Sequence, residues 1–155
     1  MQGVEKRDVL SKDLIFINQN EMDQMQVIQH IIQNAAQTGY VTNIAEVISA
    51  VKNREEQVST AIGYQIAMPH GKTKAVQHPF IAFLRTNELF QWSEKSDEKV
   101  NLIFLIGVPE ESEGKLHLKF ISQLSKKLLD EEFRKNLLEM NDTELIYNQL
   151  SSIEL

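Results

Sequence analysis

Along this chain the spacing of apolar side chains switches between runs, three- and four-residue steps, and runs again, and the switches mark out its elements. Leu14-Ile15-Phe16-Ile17 reads as a short strand. Asn20-Glu21-Met22-Asp23 then supplies helix-capping side chains, and Met25, Ile28, Ile32 and Ala35 recur at helical spacing, so a helix is expected to about Thr38 with Gly39 as its stop. A second helix is expected from Asn43, with Glu46 three residues on, through Ile44, Val47, Ile48 and Val51 toward Arg54-Glu55-Glu56. The next third is strand-like: Gln65 to Met68, Phe80 to Leu84, Leu89 to Trp92, and Asn101 to Val108. The last of these is continuously apolar and bounded by Pro109, as in a central strand covered on both faces. Three helical patterns close the chain, Leu116 to Leu129, Glu131 to Met140 and Thr143 to Leu150, while Ser93 to Lys99 reads as a solvated turn. The order predicts an α/β fold, a mixed β-sheet flanked by helices on both faces, in a single domain spanning 1–155 with 1–9 as a flexible start.

Composition narrows the function classes. Hydrophobic residues make up 42% of the 155 and charged residues 25%, the balance of a folded domain rather than a disordered one. No apolar run approaches the ~20 residues needed to span a bilayer, and the first residues lack a secretory apolar stretch, so cytoplasmic residence is the expectation. The absence of cysteine removes disulfides, thiolate catalysis and cysteine-ligated zinc. A net charge of −6 disfavours nucleic acid and anionic lipid as partners, and favours a basic protein face.

The candidate chemistry centres on Ile66-Ala67-Met68-Pro69-His70-Gly71-Lys72, where one imidazole follows an apolar run at an expected turn. Pro69 holds Met68 extended, and Gly71 permits a sharp turn or a close backbone approach. A neutral imidazole there can be a nucleophile, a proton carrier, a metal ligand or an ordinary turn residue. Gly71-Lys72-Thr73 matches the end of a phosphate-binding loop, but Ile66 stands where its first glycine belongs and Pro69 removes a backbone donor. No G-x-S-x-G is present, and the histidines at 30, 70, 78 and 117 form no compact metal-ligand motif. His30 falls off the apolar stripe of its helix and reads as surface, and His78 precedes Pro79 in an extended loop. His117 shares a helical face with Ile121, Leu124 and Leu128, which suits a core histidine, yet it sits in the first turn, where an anion is favoured. Arg54 is either a helix-end charge or a forked donor to phosphate, and Ser59 and Thr60 either cap a turn or donate to the same group.

Three segments together, Arg54-Glu55-Glu56-Gln57-Val58-Ser59-Thr60-Ala61-Ile62-Gly63, Ile66 to Lys72, and Leu116-His117-Leu118, resemble the enzyme IIA domains of the fructose–mannitol class (type 2) of the bacterial sugar phosphotransferase system. The chain departs from the family pattern at Ala61, where glycine is usual, at Tyr64-Gln65 in place of Asn-Gly, and at Met68 in place of isoleucine. The resemblance implies a phosphocarrier without metal or cofactor, in which His70 Nε2 accepts a phosphoryl group from phospho-HPr and passes it to an enzyme IIB serving a IIC permease, with a fructose-type sugar as cargo. It further implies that His117 supports the phosphoryl group, that Arg54 donates to it, and that Ser59 and Thr60 belong to its environment. Nitrogen-related members of the same superfamily carry a similar Pro-His-Gly site, so a regulatory module whose phosphorylation state controls partner proteins is the alternative.

Overall fold

A computed structural model describes residues 8–112 and 115–153. Strand β1 (Leu10–Gln19) leads into α1 (Gln24–Gln37) and α2 (Ile44–Gln57), followed by the short strands β2 (Ala61–Gly63), β3 (Ile66–Ala67) and β4 (His70–Thr73). The long strands β5 (Phe80–Ser93) and β6 (Ser96–Pro109) come next, and α3 (Leu116–Lys127), α4 (Glu131–Glu139) and α5 (Thr143–Ser151) complete the chain. The helix starts follow local capping chemistry. Asp23 accepts a hydrogen bond from the Gln26 N–H at 2.8 Å and Asn43 one from the Glu46 N–H at 3.1 Å, each satisfying a donor that has no partner inside its helix.

The sheet order is β1-β5-β6-β3-β2, with β4 also on β6. β5 and β6 are antiparallel, whereas β1 on β5 and both β3 and β4 on β6 are parallel, which makes the sheet mixed. Alternation along the strands sorts two cores. Phe80, Ala82 and Leu84 of β5 and Ile103 and Leu105 of β6 pack with α1 and α2, while Ile81, Phe83, Leu102, Phe104, Ile106 and Val108 pack with α3, α4 and α5. The continuously apolar run in β6 therefore has the predicted cause, burial on both faces.

The structure redraws three local expectations. The two stretches Phe80 to Leu84 and Leu89 to Trp92 belong to one strand, whose pairing shifts register between Arg85 and Phe90. Within Ser93 to Lys99 the solvated turn narrows to the exposed Glu94 and Lys95 at the tip of the β5–β6 hairpin, because Ser93 pairs with Ser96 and the flanking residues join the strands. Of the flexible start expected at 1–9, residues 1–7 lie outside the described residues. The carbonyls of Asp8 and Val9 accept hydrogen bonds from Tyr40 Oη and the Ile81 N–H, both at 2.8 Å, so residues 8 and 9 are tied into the fold.

β3 and β4 run along the same side of β6 as one interrupted strand. β3 pairs with Leu102 and Ile103, β4 with residues 106–109, and Met68-Pro69 is the gap. Pro69 has no N–H to give the ladder, but its carbonyl accepts the Ile106 N–H at 3.0 Å. This break positions the candidate site.

Candidate active site around His70

His70 opens β4 and is not the turn residue that its Pro-His-Gly setting suggests. Strand alternation aims its neighbours at opposite faces. Gly71 is buried against α2, where an added Cβ would lie 3.0 Å from both Cγ2 and the backbone N of Val51, and Thr73 Oγ1 donates to Glu46 Oε2 of α2 at 2.6 Å. His70 and Lys72 consequently face the other side, toward the start of α3. Gly71 is required for this close approach and not for a turn.

On that side the His70 ring stacks on His117, with centroids 4.6 Å apart and planes 17° from parallel. His70 Nδ1 lies 3.0 Å from the Met68 carbonyl oxygen. A carbonyl only accepts, so in the neutral ring Nδ1 carries the proton and Nε2 keeps its lone pair. His117 Nδ1 is buried with no hydrogen-bond partner among the described residues, and no side chain among them caps the start of α3. A buried unmet ring nitrogen costs about 1–3 kcal/mol, and the uncapped start of α3 favours an anion near it.

The electrostatics favour the neutral form of both rings. Burial pushes the His70 pKa below its usual value against the opposing pull of the Met68 carbonyl, and the nearby Arg54 charge lowers it further. Burial also lowers His117, followed by the charges of His70, Arg54 and Lys72. A pair of uncharged imidazoles beside two fixed cations is suited to receive a polyanionic group at a nitrogen nucleophile without a general base.

Of the residues expected at the site, the structure brings His70, His117 and Arg54 into one electrostatic unit. Arg54 is half-buried near the end of α2, where its Nη1 donates to the Val58 carbonyl at 3.1 Å as a helix-end charge does, and its charge also reaches the rings. Ser59 Oγ accepts the Ala61 N–H at 3.2 Å, the capping role, and its hydroxyl proton is not used in that bond. Thr60 differs from expectation. It is 6% exposed and its hydroxyl donates to the Glu55 carboxylate, so this proton does not point to a phosphoryl group. Two residues escaped the sequence reading. Lys72 was legible in principle, since a two-residue offset in a strand puts it on the His70 face, whereas Glu55 looked like one more charge at a helix end.

The other histidines stand apart. His30 is half-buried rather than freely exposed: its Nδ1 lies 2.6 Å from Glu21 Oε2 and its ring 4.8 Å from that of Phe16 of β1. His78 is half-buried with its ring edge-on to Tyr40 at 6.3 Å. Among the described residues no group of three His, Cys, Asp or Glu side chains is placed to hold a metal ion, and no helix is long and apolar enough to cross a membrane.

A mixed sheet between two helical layers, with paired imidazoles at a strand break, places the chain among the phosphotransferase IIA folds. Residues 8–153 match the family model described as phosphoenolpyruvate-dependent sugar phosphotransferase system, EIIA 2, and the chain belongs to that family. A fructose-specific EIIA component of Haloferax volcanii is 30% identical over 141 residues, 91% of each chain. A fructose-specific EIIABC component of Mycoplasma pneumoniae is 37% identical over 107 residues, 69% of this chain but only 15% of that much longer protein. In three dimensions the chain resembles the nitrogen regulatory protein IIA-Ntr from Neisseria meningitidis, with TM-score 0.81 and 25% identity over 92% of this chain and 96% of that one.

Proposed function

We propose that this protein is a phosphocarrier of a sugar phosphotransferase system of fructose type, working in the cytoplasm between HPr and an enzyme IIB that serves a IIC permease. The observation that carries the reading is the 3.0 Å contact between His70 Nδ1 and the Met68 carbonyl, which leaves the Nε2 lone pair as nucleophile. That lone pair forms the new N–P bond as the N–P bond of phospho-HPr breaks, and the bonding electrons return to the HPr imidazole. The Nδ1 proton remains on His70, so the ring gains positive charge as it gains the phosphoryl group, and the Met68 carbonyl stabilises that charge. The transition state is loose and spreads negative charge over three equatorial oxygens. Arg54 and Lys72 supply countercharge, His117 and the Ser59 hydroxyl supply donors, and Thr60 acts through its backbone. Onward transfer to IIB reverses the step.

The supporting experiment is labelling from phosphoenolpyruvate with enzyme I and HPr. An acid-labile, alkali-stable phosphoprotein is expected, and His70→Ala should abolish it while retaining the fold. Full labelling of that variant would sink the assignment. The likeness to the nitrogen regulatory protein favours a second reading, in which the phosphorylation state of His70 controls a partner and no sugar is moved. Neighbouring genes for IIB and IIC, and transfer from phospho-His70 to that IIB, support transport; a labelled protein that passes phosphate to no IIB supports regulation.

A further inference from the structure

Glu55 is energetically misplaced as an ordinary residue. It is 3% exposed, and among the described residues no Lys, Arg or His nitrogen lies within ion-pair distance of it. Burying a carboxylate without a cation is costly, and an acidic side chain in the last turn of α2 faces the negative end of the helix. Both of its oxygens are spent on one residue: Oε2 accepts the Thr60 N–H at 3.1 Å and Oε1 the Thr60 hydroxyl.

Thr60 leads directly to the nucleophile. Its carbonyl accepts the Met68 N–H at 3.0 Å, and the Met68 carbonyl in turn accepts from His70 Nδ1 at 3.0 Å. The Thr60–Met68 bond extends the β2–β3 ladder, in which Ala61 faces Ala67, by one step into the gap before β4. Because Pro69 offers no N–H, the Met68 side of that gap is held by Thr60, and Thr60 is held by Glu55. Arg54 stands one residue before Glu55 on the same helix, so the carboxylate ties the strand that presents His70 to the helix that presents its guanidinium partner.

Building on the phosphocarrier reading, we infer that Glu55 is a positioning residue: through Thr60 and Met68 it sets the orientation and the Nδ1–H tautomer of His70, without touching phosphoryl group or partner. The alternative is a purely structural clamp, and ¹⁵N NMR of the His70 ring together with transfer kinetics from phospho-HPr separates the two. In Glu55→Ala, neutral His70 should shift from the Nδ1–H form toward a mixture with Nε2–H. The turnover rate should fall tenfold or more while KM for phospho-HPr stays within twofold, since a buried side chain makes no partner contact. Glu55→Gln, whose amide oxygen still accepts the Thr60 N–H, should recover most of the rate. Thr60→Val supplies the same readouts if Glu55→Ala does not fold: it keeps the shape, loses the hydroxyl link, and should move tautomer and rate in the same direction by less. A folded Glu55→Ala, or failing that Thr60→Val, with the native tautomer and native turnover overturns the inference. The tautomer is read with no phosphoryl donor present, so it answers even if the wild-type protein proves not to be labelled by HPr, the result that would instead refute the phosphocarrier reading.

Discussion

Replacing Gly71 by alanine tests whether the contact between β4 and α2 sets the reactive geometry. The new Cβ would stand 3.0 Å from Val51 Cγ2, 3.0 Å from the Val51 backbone N and 3.2 Å from the Ala50 Cβ. The Cγ2 can turn aside, but the backbone nitrogen belongs to a helix whose Val47 and Val51 are fully buried, so strand and helix must part by a few tenths of an ångström. Inserting one methyl into such a contact costs about 1–3 kcal/mol. At about 2–4 °C per kcal/mol for a chain of this size, Tm should drop by about 2–12 °C. His70 directly precedes the altered residue, and its stack on His117 and bond to Met68 leave it no freedom to compensate. With a 1 Å misplacement of a reacting group worth about 10²-fold, a shift of this smaller size predicts a loss of about threefold to tenfold in the transfer rate from phospho-HPr. Thermal unfolding and rapid-quench labelling of the same preparation measure both quantities. Native Tm together with native rate would refute the close-approach argument, and a lowered Tm with native rate would show that β4 can move without disturbing His70.

His117→Ala should still be labelled on His70, but transfer should slow about tenfold to a hundredfold if a charge-assisted donor worth about 1.5–3 kcal/mol is lost; an unchanged rate in both directions would return His117 to a packing role. Arg54→Lys keeps the charge and removes the planar fork, so phosphoryl transfer should fall substantially while thermal stability changes little, and a native rate would exclude two-oxygen recognition by the guanidinium. Both imidazoles hold protons less readily in the folded chain than in the unfolded one, so the unfolded state binds more protons in acid. Their contribution is therefore complete above the ordinary histidine pKa of about 6.5 and is lost as pH falls through the lowered folded values. Urea unfolding at pH 7 and pH 5 should show a smaller acid loss in the His70→Ala, His117→Ala double variant than in the wild type, and equal losses would contradict the assignment. For the same reason, the labelling rate of His70 should fall less steeply in acid than that of a free imidazole, because the lowered pKa keeps more of the nucleophile uncharged.

The elements of this protein were legible in its sequence because they rest on near-neighbour relations. The three- and four-residue spacing of Ile28, Ile32 and Ala35, the caps Asp23 and Asn43, and the unbroken apolar run of β6 each report a local geometry or a degree of burial that a few adjacent residues determine. His70 was legible too, since a Pro-His-Gly context marks a constrained imidazole whatever lies around it. Other features depended on contacts between distant segments. That Phe80 to Trp92 is one strand, that β3 and β4 share an edge of β6, and that Glu94 and Lys95 alone close the hairpin follow from pairing register, which no single segment contains. That His117 stacks on His70 emerged only when the strand break set the two rings together. The sequence offered Thr60 as a phosphate donor and passed over Glu55; only the packing of α2 against the β2 entry revealed that the first spends its proton on the second. Hydrogen-bond partners of buried polar groups are chosen by three-dimensional proximity under the penalty for leaving them unmet, and that choice is invisible to spacing along the chain.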